Sequence, residues 1–279
     1  LKEDESLFRE GSLMVNQKEV TSIKMLVLVT YLAMIIVNAL ANILPINGVT
    51  TGQVSDSYPN LFAPAGSTFA IWGLIYLLLA LYCLYQMGLF RDPQAPRNQA
   101  LLARTGLIFS ISSLANVAWI FSWHNYMIAF SMLWMIVILL CLITILQTIR
   151  QKTLTRREKF LIKLPFSVYF GWITVATIAN ATTLLVSWQW NGWGIAEPVW
   201  AIIIIIVGLL IGAATTIINR DIAYGLVIVW AYIGIYIKHT SLAGFSGQYP
   251  AIINTVLACI GGMLAVLVYV YIQVKRPMH

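Results

Sequence analysis

Eight apolar runs, each close to the roughly 20 residues a helix needs to cross a bilayer, lack Asp, Glu, Lys, Arg and His in their interiors. They lie at about 23–44, 67–88, 104–123, 126–149, 162–187, 198–218, 222–238 and 251–274. Each is apolar round its circumference, which suits a lipid-embedded helix rather than an amphipathic surface one. Barrel strands would be shorter and would alternate. The reading is an all-α membrane protein with eight transmembrane helices. Proton, ion and metal pathways normally leave charged side chains inside the spans. Interior polarity here comes from Asn, Thr, Ser, Tyr and Trp, which suits a large, flat, mostly apolar ligand.

The remaining composition agrees. Only 10% of residues are charged and 60% are hydrophobic, against about a quarter charged in a soluble domain. A net charge of +7 could signal nucleic acid, but the positions of the basic residues say otherwise. With the N-terminus inside, Lys2, Arg9, Lys18, Lys24, Arg91, Arg97, Arg104, Arg150, Lys152, Arg156, Arg157, Lys159, Lys163, Arg220, Lys275 and Arg276 all fall on one side, and Lys238 alone on the other. This asymmetry follows the positive-inside rule and places both termini in the cytoplasm. The expected location is a prokaryotic cytoplasmic membrane, with the lipid bilayer as partner and no nucleic acid.

Residues 1–22 read as a polar N-terminal segment without the apolar centre of a secretory signal. Met14 is a candidate native start, which would make the residues before it an extension. Cys83, Cys141 and Cys259 sit mid-span, odd in number and without CxxC spacing, and read as small core residues. His124, His239 and His279 are scattered over loops and the terminus, so no metal cluster forms. No nucleophile elbow, phosphate loop or intramembrane carboxylate pair is present, and the expectation is no cofactor and no catalytic residue. Asp221, beside Arg220 in a tight turn, reads as a cap or a local ion pair.

The connection over residues 45–66 is long and rich in Gly, Thr, Ser and Asn, as lids and binding loops often are. Trp123, Trp188, Trp190 and Trp193 lie near span ends, where Trp is commonly an interfacial anchor. Other aromatics recur at helical spacing. Phe69, Trp72 and Tyr76 share one face, as do Asn116, Trp119 and Trp123. Trp172, Ala176 and Asn180 form a stripe of large aromatic, small gap and amide. Such a lining offers rings flat surfaces and an amide that both donates and accepts; ordinary helix packing through small residues and buried Asn is the alternative.

Three segments carry a resemblance. PNLFAPAGSTFAIWGLIY contains Phe62, Pro64, Phe69, Trp72 and Tyr76. LANVAWIFSW contains Asn116 and Trp119. PFSVYFGWITVATIANA contains Pro165, Tyr169, Trp172, Ala176, Thr177, Asn180 and Ala181. In this order the chain resembles the TspO/MBR family, the tryptophan-rich sensory or translocator proteins, over residues 23–190. The resemblance implies a five-helix bundle with a cavity opening toward the first loop. Trp72, Tyr76, Asn116, Trp119, Trp172, Ala176 and Asn180 would line it, under a lid containing Pro45, Phe62 and Pro64. Family members bind tetrapyrroles such as protoporphyrin IX, synthetic aromatic drugs and, in animals, sterols, and often form homodimers. Some bacterial members are reported to degrade porphyrin in light, which would fall to Trp72 and Trp172.

The chain also departs from the family pattern. Two adjacent prolines are usual where it has Pro64 and Ala65. The sterol motif after the fifth span is missing, although Val268, Tyr271 and Lys275 form a similar pattern of the weak kind. Family members usually end after five helices, whereas residues 191–279 here add three. In these, Gly208 and Gly212 form a GxxxG that admits close backbone approach. The expected role is a membrane receptor holding a hydrophobic cyclic ligand, a tetrapyrrole by resemblance. The alternative is a carrier for a neutral or amphipathic small molecule, although no internal repeat or broken span is evident.

Overall fold

The computed structural model describes residues 2–90 and 98–275, with side chains from residue 20 onward. Arg91, Arg97, Arg276 and His279 fall outside the described residues. Within them, every regular element is helical. The elements are α1 (Lys2–Ile43), α2 (Thr51–Asp56), α3 (Ile71–Met87), α4 (Gln99–His124), α5 (Ile128–Arg150), α6 (Arg156–Glu158), α7 (Leu164–Ser187), α8 (Glu197–Asn219), α9 (Ile222–Thr240) and α10 (Pro250–Lys275). Among the described residues, eight helices are long and apolar enough to cross a membrane. Residues 2–22 of the polar N-terminal segment lie in α1, which runs without a break into the first span.

Local chemistry sets the boundaries. Gly88, in the left-handed region at φ 106°, ends α3. Thr155 and Glu158 form a reciprocal capping box at the start of α6, whose turns pass through a π-turn at Lys159–Lys163 into α7. Asp221 caps α9 by accepting from the Tyr224 backbone N–H at 3.2 Å. Its ion-pair partner is Lys163 at 3.6 Å rather than its neighbour Arg220, and it also accepts from the Ser167 hydroxyl.

Helix α7 is the hub of the bundle. It packs against α3, α5, α8 and α9 and is the most deeply buried of the eight spans. Helices α1, α4 and α5 complete the wall around it, with α4 lying between α1 and α5. The last three helices pack on one another and reach the other five mainly through α9. A Cβ on Gly171 of α7 would come within 2.8 Å of Val227 Cβ, so this glycine allows α7 and α9 to approach closely. Gly208 and Gly212 face Tyr232 and Ile228 of α9. The GxxxG therefore serves packing within the chain.

The outer surface is apolar. Leu32, Ile36, Leu77, Leu133, Leu140, Leu210 and Val268 are all exposed, an array that would drive aggregation in water and that lipid tails cover. Within the spans, hydroxyls such as those of Thr30, Thr105, Ser110, Thr174 and Thr177 donate to the carbonyl four residues earlier. This satisfies them where no water is at hand. Cys83, Cys141 and Cys259 are free thiols. Lys275 lies over the Tyr271 ring, 4.5 Å from its centroid, on the exposed side of α10.

Candidate functional site: an aromatic chamber under the first loop

Helical spacing gathers the aromatics of α3, α4 and α7 at one level. Trp72 is central. Its ring stacks on Tyr76 at 5.4 Å between centroids and meets Tyr169 at 5.9 Å and Trp172 at 6.2 Å, both edge to face. Trp119 lies 6.3 Å away, with Trp123 stacked behind it at 5.7 Å. Phe69 closes on Trp172 from the other side at 5.8 Å. Offset and edge-to-face arrangements of this kind are the favoured aromatic geometries.

Two spaces adjoin this cluster. The outer is a cavity of about 520 Å³ between α1, α3, α4 and the first loop, lined by Trp72, Tyr76, Trp119, Phe69, Asn38 and Thr51 among others. The inner is a crevice of about 40 Å³ lined by Trp172, Ala176, Asn180, Met135 and Pro64. Thr51, Phe69, Trp72 and Trp119 border both, so two indoles partition one chamber. The outer part falls in the range of small-molecule sites; the inner part holds about one water. Trp72 and Trp119 stand between the outer cavity and the part of the crevice that Ala176 and Asn180 line.

The sequence-predicted residues divide accordingly. Trp72, Tyr76 and Trp119 line the outer cavity, and Trp72, Trp119, Trp172, Ala176 and Asn180 the inner crevice. Asn116 borders neither. It is fully buried, accepts from Asn38 Nδ2 at 2.6 Å and donates to the Tyr169 hydroxyl at 3.4 Å, which makes it a scaffold of α1, α4 and α7. Asn180 is also engaged: it accepts from Trp119 Nε1 at 3.0 Å and donates to Ser131 Oγ at 3.0 Å. Trp172 is the exception. Its indole is 2% exposed, yet Nε1 has no hydrogen-bond partner among the described residues, a state that costs free energy unless a ligand or water accepts from it.

The first loop is ordered over the chamber. Pro45 begins the 3₁₀ turn Ile46–Gly48, and α2 starts with a capping box between Thr50 and Gln53. Pro64 borders the crevice. Phe62 is buried but lines a different cavity, between α7 and α8. Two histidines read as loop residues are wholly buried helix ends that hold this lid. His124 contacts Thr51 Oγ1 at 3.1 Å and Ile46 O at 3.4 Å. His239 contacts Leu61 O at 2.9 Å. Trp123 donates to Thr51 O at 3.1 Å, so it anchors the lid rather than the membrane interface; Trp188 and Trp193 are exposed.

Helix α9 supplies the far side of the lid. Ala65 N–H donates to Gly234 O at 3.0 Å, Trp230 Nε1 donates to Thr68 O at 3.0 Å, and Lys238 pairs with Asp56 at 3.0 Å. A Cβ on Gly234 would collide with Thr68, so the lid lies directly on the α9 backbone. Asp56 borders the outer cavity; its pairing leaves the mouth with one ion pair and no net charge.

A family model described as TSPO-like protein matches residues 24–270. The chain belongs to the TSPO-like protein family. The match extends through the last three helices as well as the first five. No curated protein and no solved structure matches the chain.

In this TSPO-like chain a second aromatic layer lies further along the same three helices. Tyr82, Phe109 and Phe166 pack edge to face with centroids 4.7–5.6 Å apart. Each lies on α3, α4 or α7, further from the lid than that helix's chamber aromatics, and all three are fully buried. Sequence reasoning did not place Asn38, Thr51, Ser131, Tyr169 or either buried histidine at the chamber or its lid. Thr50 and Gln53 were detectable, because Thr-x-x-Gln is a capping-box signature. The others were not, since their partners lie on different helices.

Proposed function

We propose that this integral membrane protein is a receptor that holds a hydrophobic cyclic ligand, of the tetrapyrrole class, in the chamber between the lid and the Tyr82–Phe109–Phe166 layer. The reading sets it in a prokaryotic cytoplasmic membrane; the distribution of basic residues supports both termini inside and the lid outside. The unpartnered Trp172 Nε1, buried beside a crevice walled by indoles, is the observation that carries the reading. A flat ligand with a polar edge would satisfy that donor and stack on Trp72 and Trp119. Affinity would come chiefly from apolar ring burial, at about 25 cal/mol per Å² before the cost of association. The packed, buried rings of Tyr82, Phe109 and Phe166 favour holding over carrying, because a carrier needs a route to the opposite end.

Titration of protoporphyrin IX into the protein in lipid nanodiscs tests this. Saturable quenching of intrinsic Trp fluorescence is expected, and Ala176→Leu, which fills the crevice, should weaken it. Absence of saturable quenching in both detergent and nanodiscs would refute the proposal.

A further inference from the structure

A second cavity, of about 430 Å³, lies between the fifth and sixth spans, outside the aromatic chamber. Its walls are the last two turns of α7, the first two turns of α8 and residues 60–62 of the lid. The lining runs from Val186 to Thr182 on α7, about 6 Å at the α-helical rise, and from Glu197 to Ile204 on α8, about 10 Å. Its chemistry is graded along that length. Gln189, Asn191 and Glu197 form the mouth; Leu185, Val186, Ala201 and Ile204 form the deeper part. This is an elongated slot with a polar entrance at the end of the bundle and an apolar interior within the spans.

The entrance has a sign. Glu197 contributes its only carboxylate, and among the described residues no cation pairs with it. Asp56, the acidic residue at the mouth of the main chamber, is by contrast neutralised by Lys238. Two indoles share the slot with the carboxylate. Trp190 and Trp200 both border the slot and sit 5.2 Å apart between centroids. The N–H of Trp200 is taken up by Gly192 O at 2.8 Å, which fixes that ring. Aromatic faces beside a carboxylate attract organic cations, ammonium groups above all. An acidic head would meet the same carboxylate as a repulsion.

We propose that this slot binds a single-chain amphiphile with a cationic, ammonium-type head, the head at Glu197, Trp190 and Trp200 and the chain along the α7–α8 seam. It is a site separate from the aromatic chamber and differs from it in ligand charge. Residues 60–62 floor the slot while Ala63 and Pro64 border the inner crevice, so the same stretch of lid separates the two sites.

The test uses three dodecyl amphiphiles brominated on the chain, with trimethylammonium, sulfate and maltoside heads, titrated into full-length protein in nanodiscs of neutral lipid. Bromine quenches nearby Trp. The ammonium compound should quench saturably and more tightly than the other two. Glu197→Gln should weaken it about fivefold, as expected for one partly exposed charge contact, while leaving the maltoside unchanged. Glu197 also sits in the first turn of α8, where a carboxylate favours the helix. Thermal unfolding of the variant therefore separates loss of fold from loss of the site. Val186→Trp, which fills the apolar part, should abolish saturation for all three compounds. Equal binding of the three heads, or indifference of the ammonium compound to Glu197→Gln in a folded variant, would overturn the proposal. Quenching by protoporphyrin IX is read separately, so failure here leaves the chamber untouched.

Discussion

Ala65 donates its backbone N–H to the carbonyl oxygen of Gly234, 169 positions further along the chain and 3.0 Å away. Where the resemblance places a second proline, this chain carries a residue with an N–H, and that N–H ties the lid to α9. The lid and the last three helices are thus joined directly.

Ala65→Pro isolates that bond. Ala65 already has φ −58°, a value that proline favours, so the substitution removes a donor with little change in local geometry. The expected outcome is a loss of about 1 kcal/mol and faster amide exchange over residues 60–68, with exchange in α5 unchanged. Exchange equal to that of the parent chain would show that the bond does not hold the lid.

Gly234→Ala acts on the same contact by volume. The added methyl meets Thr68, so either the lid or α9 must shift. Overpacking typically costs about 1–3 kcal/mol. The variant should lower thermal stability and raise susceptibility to proteolysis between residues 45 and 66; retained stability would mean that the lid has slack at this point.

Trp172→Phe should separate stability from binding. Phenylalanine keeps most of the ring and removes the unpartnered donor. Ligand-free protein should become more stable, by about 1 kcal/mol, while affinity for protoporphyrin IX falls. If stability falls as well, Nε1 already has a partner, and the donor argument for the ligand fails.

Asn116→Leu should do the reverse of a pocket mutation. It leaves the Asn38 amide without its 2.6 Å acceptor and costs about 1–3 kcal/mol. Porphyrin quenching per folded molecule should stay the same, because Asn116 borders neither space. A selective loss of quenching in a fully folded variant would return Asn116 to the site.

Asp221→Ala removes a helix cap, an acceptor for Ser167 and the partner of Lys163 together. The cap alone is worth about 0.5–2 kcal/mol. Urea or thermal unfolding should show a loss at the upper end of that range, with the α7–α9 contact weakened first. A loss close to zero would show that the buried ion pair offsets its own desolvation.

The spans were legible because a bilayer imposes length and neutrality on each helix separately, and both can be read one run at a time. Trp72, Trp172 and Ala176 were placed by the same one-helix logic, since i, i+4 spacing fixes a face. That logic failed at Asn116, which shares a stripe with Trp119 but turns to Asn38 on α1, a partner its own helix does not reveal. It failed again at His124 and His239. A histidine in a last turn looks solvated until another segment covers it, and here the covering segment is the lid. The lid itself read as a loop; its short helix was encoded in Thr50 and Gln53, but its attachments lie far away in sequence.

The bond between residues 65 and 234 also bears on how the protein is made. At roughly 5–20 residues per second, the ribosome adds Gly234 on the order of ten seconds after Ala65. During that interval the first five helices can insert and assemble, but the strap over their vestibule has nothing to fasten to. A nascent chain stalled before α9 would present an unlatched, greasy opening to the membrane and its quality-control proteases. Completion of the C-terminal helices would then be the event that seals the molecule.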